Sequence, residues 1–193
     1  MSFLRRLLGT EAKAAISEDG TSSAMLRGNE EVFSITPMKA LEISTVLACV
    51  RIIAQGVAQV PFRLYQSDGR SRVPVSTSDN VLARIISRKP NGWMTSFEMR
   101  ETLMYHVLLT GNAFVWINRV GGRVYELVVL SPESTSAEFD KTKMEMRYRA
   151  TLPNGVSKEL TQAEVWHIRG PSYDAQLGLS IIKLAKTVME LTK

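Results

Sequence analysis

Residues 95–130, TSFEMRETLMYHVLLTGNAFVWINRVGGRVYELVVL, change their period halfway, and that change restricts the fold more than any other feature of the chain. Up to Thr110 the apolar residues Phe97, Leu103, Met104, Val107 and Leu108 recur at helical steps. Thr95 and Glu98 have capping-box spacing: the threonine oxygen accepts from the amide three residues on, while the glutamate reaches back. Gly111 takes the left-handed conformation that ends a helix at low cost. AFVWINR and RVYELVVL follow as β-rich runs, and Gly121-Gly122 between them reads as a two-residue hairpin turn. A phosphate-binding loop needs the opposite order, a strand, then glycines, then a helix whose free N–H groups face the anion. These glycines turn the chain.

The flanking segments supply further elements. Thr36-Pro37 resembles an N-cap followed by proline at the first helical position. In STVLACVRIIAQGVAQVP a helix face is expected from Val46, Leu47, Val50, Ile53, Ala54 and Val57, with Ser44 as cap and Pro61 as stop. Cys49, inside that run, reads as a small buried hydrophobe. Gly56 costs the helix about 1 kcal/mol relative to alanine, which suggests either close packing or an early helix end. PFRLYQSDGR alternates Phe62 and Leu64 against Arg63 and Tyr65 before an Asp68-Gly69 turn, the pattern of a strand entering a hairpin. Residues 79–87 form a short amphipathic helix that ends before Lys89-Pro90-Asn91-Gly92. Beyond Pro132 the pattern stays β-like through EMRYRATL, a Pro153-Asn154-Gly155 turn, VSKEL and VWHIRG. A last helix, capped by Ser180, places Ile181, Leu184, Ala185, Val188 and Leu191 on one face and carries no stop signal, so the chain reads as part of something longer. Residues 9–34 are rich in small and charged residues and read as an extended arm or linker.

Chemistry is hard to find. His106 and His167 lie in apolar-rich segments without cysteine or carboxylate at metal-ligand spacing, and both read as satisfied structural histidines. No GxSxG elbow, Walker A loop or GxGxxG occurs, so no catalytic, cofactor-binding or metal residue is nominated and the chain is not read as an enzyme. Glu98 is explained as a cap and Glu101 as a solvated residue pairing with surface cations. Trp93, Trp116 and Trp166 read as core or interface anchors, and Arg84, Arg88 and Lys89 as a solvated face. The net charge of +5 permits an anionic partner without requiring one. A single cysteine excludes an internal disulfide and suits a reducing compartment. No apolar run reaches the ~20 residues that span a bilayer, and the opening MSFLRRLLGT lacks the continuous apolar region of a secretory signal.

The motif order adds what spacing alone does not. ALEISTVLACVRIIAQGVAQVPFRLY, then KPNGWMTSFEMRETLMYHVLLTGNAFVWINRVGGRVYELVVLSP, then EVWHIRG and LGLSIIKLAK resemble the tailed-phage portal proteins of the HK97 type. In that family a CVR-containing helix leads into a PxxLY strand, and an RPNP-x-MT segment opens a helix ending in GNAY. A GxxxxLxxLxP strand pair and an HIRG … GLSPI module follow. Here Gly92 and Ile181 stand where the family usually has proline. The resemblance covers about the N-terminal half of such a protein. It implies an α+β fold of helices packed with antiparallel strands: residues 1–34 a flexible arm, 35–177 a wing-like domain, and 178–193 the start of a stem-leading helix. It also implies a structural ring, dodecameric in the virion, at one capsid vertex. Expected partners are copies of itself, the major capsid protein or scaffold, the terminase large subunit, the head-tail connector and double-stranded DNA passing without sequence specificity, with no membrane and no cofactor. Expected locations are the virion and, during assembly, the host cytoplasm. Two other readings stay open on the sequence: a prophage-remnant fragment without packaging function, and a small basic nucleic-acid-binding protein.

Overall fold

The computed structural model describes residues 36–185. The expected arm, residues 1–34, lies outside the described residues, as do Val188 and Leu191 of the last helix. Pro37–Leu41 (α1) starts as its sequence dictates, with the Thr36 side chain accepting from the Lys39 amide and Pro37 at the first helical position. Ser44–Ala58 (α2) follows, with Ile43 at the cap position, so Ser44 begins the helix and does not cap it. Tyr65–Ser67 (β1) and Arg72–Pro74 (β2) pair as a small antiparallel hairpin. Asp68 Oδ1 closes its turn by accepting from the Arg70 and Ser71 amides. Phe62 and Leu64 are half-buried while Arg63 and Tyr65 are exposed, so the expected alternation holds although the regular strand is shorter than expected.

Val81–Ser87 (α3) is capped by the Asn80 side chain, which accepts from the Leu82 and Ala83 amides. Ser96–Thr110 (α4) carries the full capping box: the Glu98 amide donates to Thr95 Oγ1, and the Thr95 amide donates to Glu98 Oε2. Gly111 ends α4 at φ +82°. Asn112–Val120 (β3) and Arg123–Leu130 (β4) are joined through Gly121 and Gly122, both at positive φ, as a two-residue turn of this hand requires. A 3-10 turn at Pro132–Ser134 leads to Thr135–Asp140 (β5), Glu145–Thr151 (β6), Ser157–Thr161 (β7) and Val165–Arg169 (β8), and Ile181–Leu184 (α5) closes the described chain.

These strands make two three-stranded antiparallel sheets, ordered β4-β3-β8 and β5-β6-β7. The first is a middle layer. Phe114 and Leu130 on one face join Tyr148, Ala150 and Leu160 of the second sheet in one core. Ala113, Val115 and Leu127 on the other face join Ile85 of α3 and Met99 and Leu103 of α4 in another. Burial on both faces explains why β3 and β4 read as nearly continuous apolar runs. A third core gathers Ala40, Val50, Leu109 and Ile182 from α1, α2, α4 and α5. The architecture is α+β, as expected.

Helix α4 is the axle. From Met99 to Thr110 none of its side chains is exposed, because α2 covers one side and the middle sheet the other. Its Arg100, buried at 8% exposure, donates from Nε (3.0 Å) and Nη2 (2.6 Å) to the Ala58 carbonyl, and from Nη1 to Ser96 Oγ. A cation thus satisfies a carbonyl at the negative end of the α2 dipole, and the Phe62 ring lies 5.3 Å from it. Asn91 plays a similar part beside β4. Its Nδ2 donates to the Leu127 carbonyl at 2.9 Å, and its Oδ1 accepts from the Trp93 and Met94 amides.

Several expectations need correction. Cys49 is exposed, because α2 turns it away from α4. Only Val50, Ala54 and Ala58 of α2 are buried; Leu47, Ile53 and Val57, expected on the inner face, are exposed. Gly56 is neither closely packed nor a stop, since a Cβ there meets nothing within 4 Å and the helix continues to Ala58. Trp93 is 62% exposed and anchors no core. Glu101 is half-buried and takes no part in the ion pairs found among the described residues, Asp140–Arg147, Glu159–Arg149 and Glu164–Lys158.

Two substitutions test this account by urea unfolding. Arg100→Met should lower stability by about 2–3 kcal/mol, because it leaves the Ala58 carbonyl buried without its charged donor. Gly56→Ala should raise it by roughly 0.5–1 kcal/mol, since the site is open and helical.

Candidate functional site

Three of the motifs quoted above, far apart in sequence, meet at one point. Gly111-Asn112 leaves α4, His167–Gly170 ends β8, and Gly178–Ser180 enters α5. The Gly170 amide donates to the Gly111 carbonyl at 2.8 Å. The backbones are so close that a Cβ at Gly178 would fall on the Gly111 carbonyl oxygen, and a Cβ at Gly111 on the Leu179 carbonyl. Glycine at 111 is therefore required twice, by its positive φ and by its neighbour.

Asn112 locks the junction. Its Nδ2 donates to the Gly178 carbonyl at 3.0 Å, and its Oδ1 accepts from the Gly178 amide at 2.8 Å, in the manner of a strand partner. That pairing fixes which amide atom is oxygen. Oδ1 then accepts from His167 Nε2 at 3.0 Å, so the imidazole carries its proton on Nε2 and receives the Tyr148 hydroxyl at Nδ1, 3.3 Å away. Burial, with a smaller push from the Arg169 cation, lowers the His167 pKa to about 4. Burial also raises that of Tyr148. The neutral ring stacks at 4.5 Å on Phe114 and bridges the two sheets. It is the satisfied structural histidine expected. Ser180 Oγ completes the closure by donating to the Leu109 carbonyl at 3.2 Å.

His106 differs. It sits in α4 with Nδ1 buried and without a hydrogen-bond partner among the described residues, which corrects the expectation that it is satisfied. Burial alone pushes its pKa down to about 4. Sequence gives no sign of this, because the missing partner is a property of the surrounding packing. Neither imidazole is hydrogen-bonded to a serine, threonine or cysteine side chain among the described residues. Among the described residues no group of three or more His, Cys, Asp or Glu is placed to hold a metal, and no helix is long and apolar enough to cross a membrane.

A groove of about 750 Å³ lies between the Pro61–Tyr65 segment, α3 and the middle sheet, over Leu82, Met99, Ile117 and Trp166. Arg63 and Arg119 are its charged lining residues. Apart from these and Tyr65 its lining is apolar, which makes it a surface to pack against. Arg84, Arg88 and Lys89 are exposed, as expected of a solvated face. Trp116 lies under the Lys158 ammonium at 5.1 Å, and Trp166 leans on Phe62 at 6.5 Å. The described surface is suited to contacts between macromolecules.

The junction and the histidines give two measurable outcomes. Gly178→Ala should destabilise the chain by about 2–3 kcal/mol through backbone displacement, seen as a lower urea midpoint. Both histidines have folded pKa values below the usual 6.5, so the unfolded chain takes up their protons first. Their stabilising contribution is complete above pH 6.5 and is lost as the pH falls toward 4. Thermal melts should show that loss, and His106→Leu should reduce the slope.

Comparison with known proteins agrees with this geometry. The family model described as phage portal protein matches residues 44–193. The portal protein of Enterobacteria phage HK97 is 31% identical over 156 residues, which cover 79% of this chain and 35% of the relative. Protein BeeE of Escherichia coli (strain K12) is 33% identical over 98 residues, covering 51% of this chain and 61% of the relative. The chain thus spans less than two thirds of the length of these relatives. Among solved structures, the neck of a native gene transfer agent particle, computed with C12 symmetry, aligns with TM-score 0.59 at 22% identity. That alignment covers 85% of this chain and 42% of the neck chain. An HK97 family phage portal protein from Corynebacterium diphtheriae aligns with TM-score 0.52 at 18% identity, covering 80% and 45%. At those identities the structures speak for the fold alone, and the family match over most of the chain supplies the assignment: the chain belongs to the phage portal protein family.

Proposed function

We propose that this chain acts as a structural subunit of a portal, forming with copies of itself the ring through which DNA passes at one capsid vertex. The family match over residues 44–193 carries this reading. The structure is consistent with it. Its three cores are packed from apolar side chains, and the groove and exposed apolar residues are suited to packing against protein.

In this role the chain associates with its own copies and with the major capsid protein or scaffold, and it serves terminase docking, packaging, ejection and attachment of the head-tail connector. It belongs to the virion, at the portal vertex, after assembly in the host cytoplasm. Its action on DNA is passage without sequence readout, so contacts with phosphate and not with base edges are expected. Catalysis is no part of the role, and ATP hydrolysis would fall to the terminase.

The test is complementation. A phage carrying a defective portal gene, of the replicon that encodes this chain, should regain DNA-filled particles when the full gene product is supplied. The product should lose that ability when Gly178→Ala unseats the junction. Particles that assemble and fill equally well without the gene would overturn the proposal, as would purified virions that lack the chain.

A further inference from the structure

Most of the chain's excess positive charge sits in one short stretch. Residues 61–89 carry Arg63, Arg70, Arg72, Arg84, Arg88 and Lys89 against Asp68 and Asp79, and outside that stretch the two signs nearly balance. All of these cations are exposed, and none takes part in the ion pairs found among the described residues. Asp68 serves its own turn, where Oδ1 accepts from the Arg70 and Ser71 amides. Two of the cations share a pocket. Arg63, just before β1, and Arg88, at the end of α3, line a space of about 340 Å³ between the hairpin and the helix. Thr77 adds a half-buried hydroxyl. Ser87 also lines it, but its hydroxyl already donates to the Ala83 carbonyl at 2.6 Å. No carboxylate lines the pocket.

We propose that this pocket is an oxyanion site that takes a phosphate group, free or as a phosphodiester, between the Arg63 and Arg88 side chains. A carboxylate has two oxygens and is filled by one guanidinium fork, whereas a phosphate offers further oxygens to a second. Two arginines and a hydroxyl without a competing acid therefore select phosphate. Phe62, Leu64 and Val75, all half-buried, supply apolar walls that strengthen such pairing relative to open water. The last turn of α3 opposes an anion through its carbonyls, but those of Ala83 and Ile86 already accept from Ser87 Oγ and Ser96 Oγ. A helix end carries about half an elementary charge, which two full cations outweigh. Arg84, one turn earlier on α3, is also exposed but does not line the pocket, so it separates a built site from the general charge of the stretch. The site goes beyond the portal role and does not depend on it.

NMR titration of the purified chain with inorganic phosphate, at an ionic strength held constant with chloride, tests the site. Saturable binding is expected, with acetate held more weakly. Arg63→Gln and Arg88→Gln should each weaken phosphate roughly tenfold, the loss of one charge-assisted pair. Arg84→Gln should change it by less than about twofold, as screening of an exposed charge outside the pocket implies. All three side chains are exposed, so circular dichroism of the variants should match wild type. Phosphate that binds no better than chloride would overturn the site, as would unchanged affinity in both Arg63→Gln and Arg88→Gln. Equal weakening by Arg84→Gln would reduce the effect to diffuse charge and overturn it too, and acetate held as tightly as phosphate would overturn the choice of ligand. A short DNA duplex separates the two sources: a duplex displaced by free phosphate and lost in the arginine variants identifies the diester, and one insensitive to both leaves the free anion. The portal role is read separately, by complementation, since this titration needs no particle.

Discussion

The side-chain amide of Asn112, paired with the backbone of Gly178, holds the described fold together. It joins the end of α4, the last strand of the middle sheet and the entry to α5, and it can do so only because Gly111, Gly170 and Gly178 allow their backbones to meet. The same oxygen orients His167, whose ring links the middle sheet to Tyr148 in the second sheet. Both features stem from one packing requirement: two unsatisfied backbone groups at a helix entry are paired by an amide that is itself fixed by its strand. The motifs GNAF, HIRG and GLS, on which the resemblance to portal proteins rests, meet at this junction.

Around that junction, α4 organises the rest. None of its side chains is exposed after its first turn, which makes its buried polar groups expensive unless they are partnered. Arg100 meets that demand by capping α2, and the capping box meets it at the N-terminus. His106 Nδ1 does not meet it, and burial holds the pKa of its ring low. Among the described residues α4 thus combines a well-satisfied start with a buried polar atom, His106 Nδ1, that has no partner.

The surface tells a complementary story. The groove beneath Pro61–Tyr65 and the outer flank of α2 are apolar, while the basic residues of α3 are solvated.

Elements set by local chemistry were legible in the sequence. Thr36-Pro37, the Thr95–Glu98 box, the left-handed Gly111 and the Gly121-Gly122 hairpin depend on contacts within four residues, and each formed as its local pattern requires. The order of motifs also sufficed to identify the family. What only the tertiary structure decided depends on partners distant in sequence. Periodicity shows that α2 is apolar but cannot say which of its apolar residues meet α4, so Cys49, Ile53 and Val57 came out exposed. Nothing in the sequence around Arg100 and Asn91 points to the carbonyls that α2 and β4 place against them. Asn112 looks like part of a turn until Gly178, sixty-six residues later, arrives to pair with it. A side chain's neighbours along the chain determine its local conformation, but its burial and hydrogen bonds depend on segments that only the folded chain brings alongside.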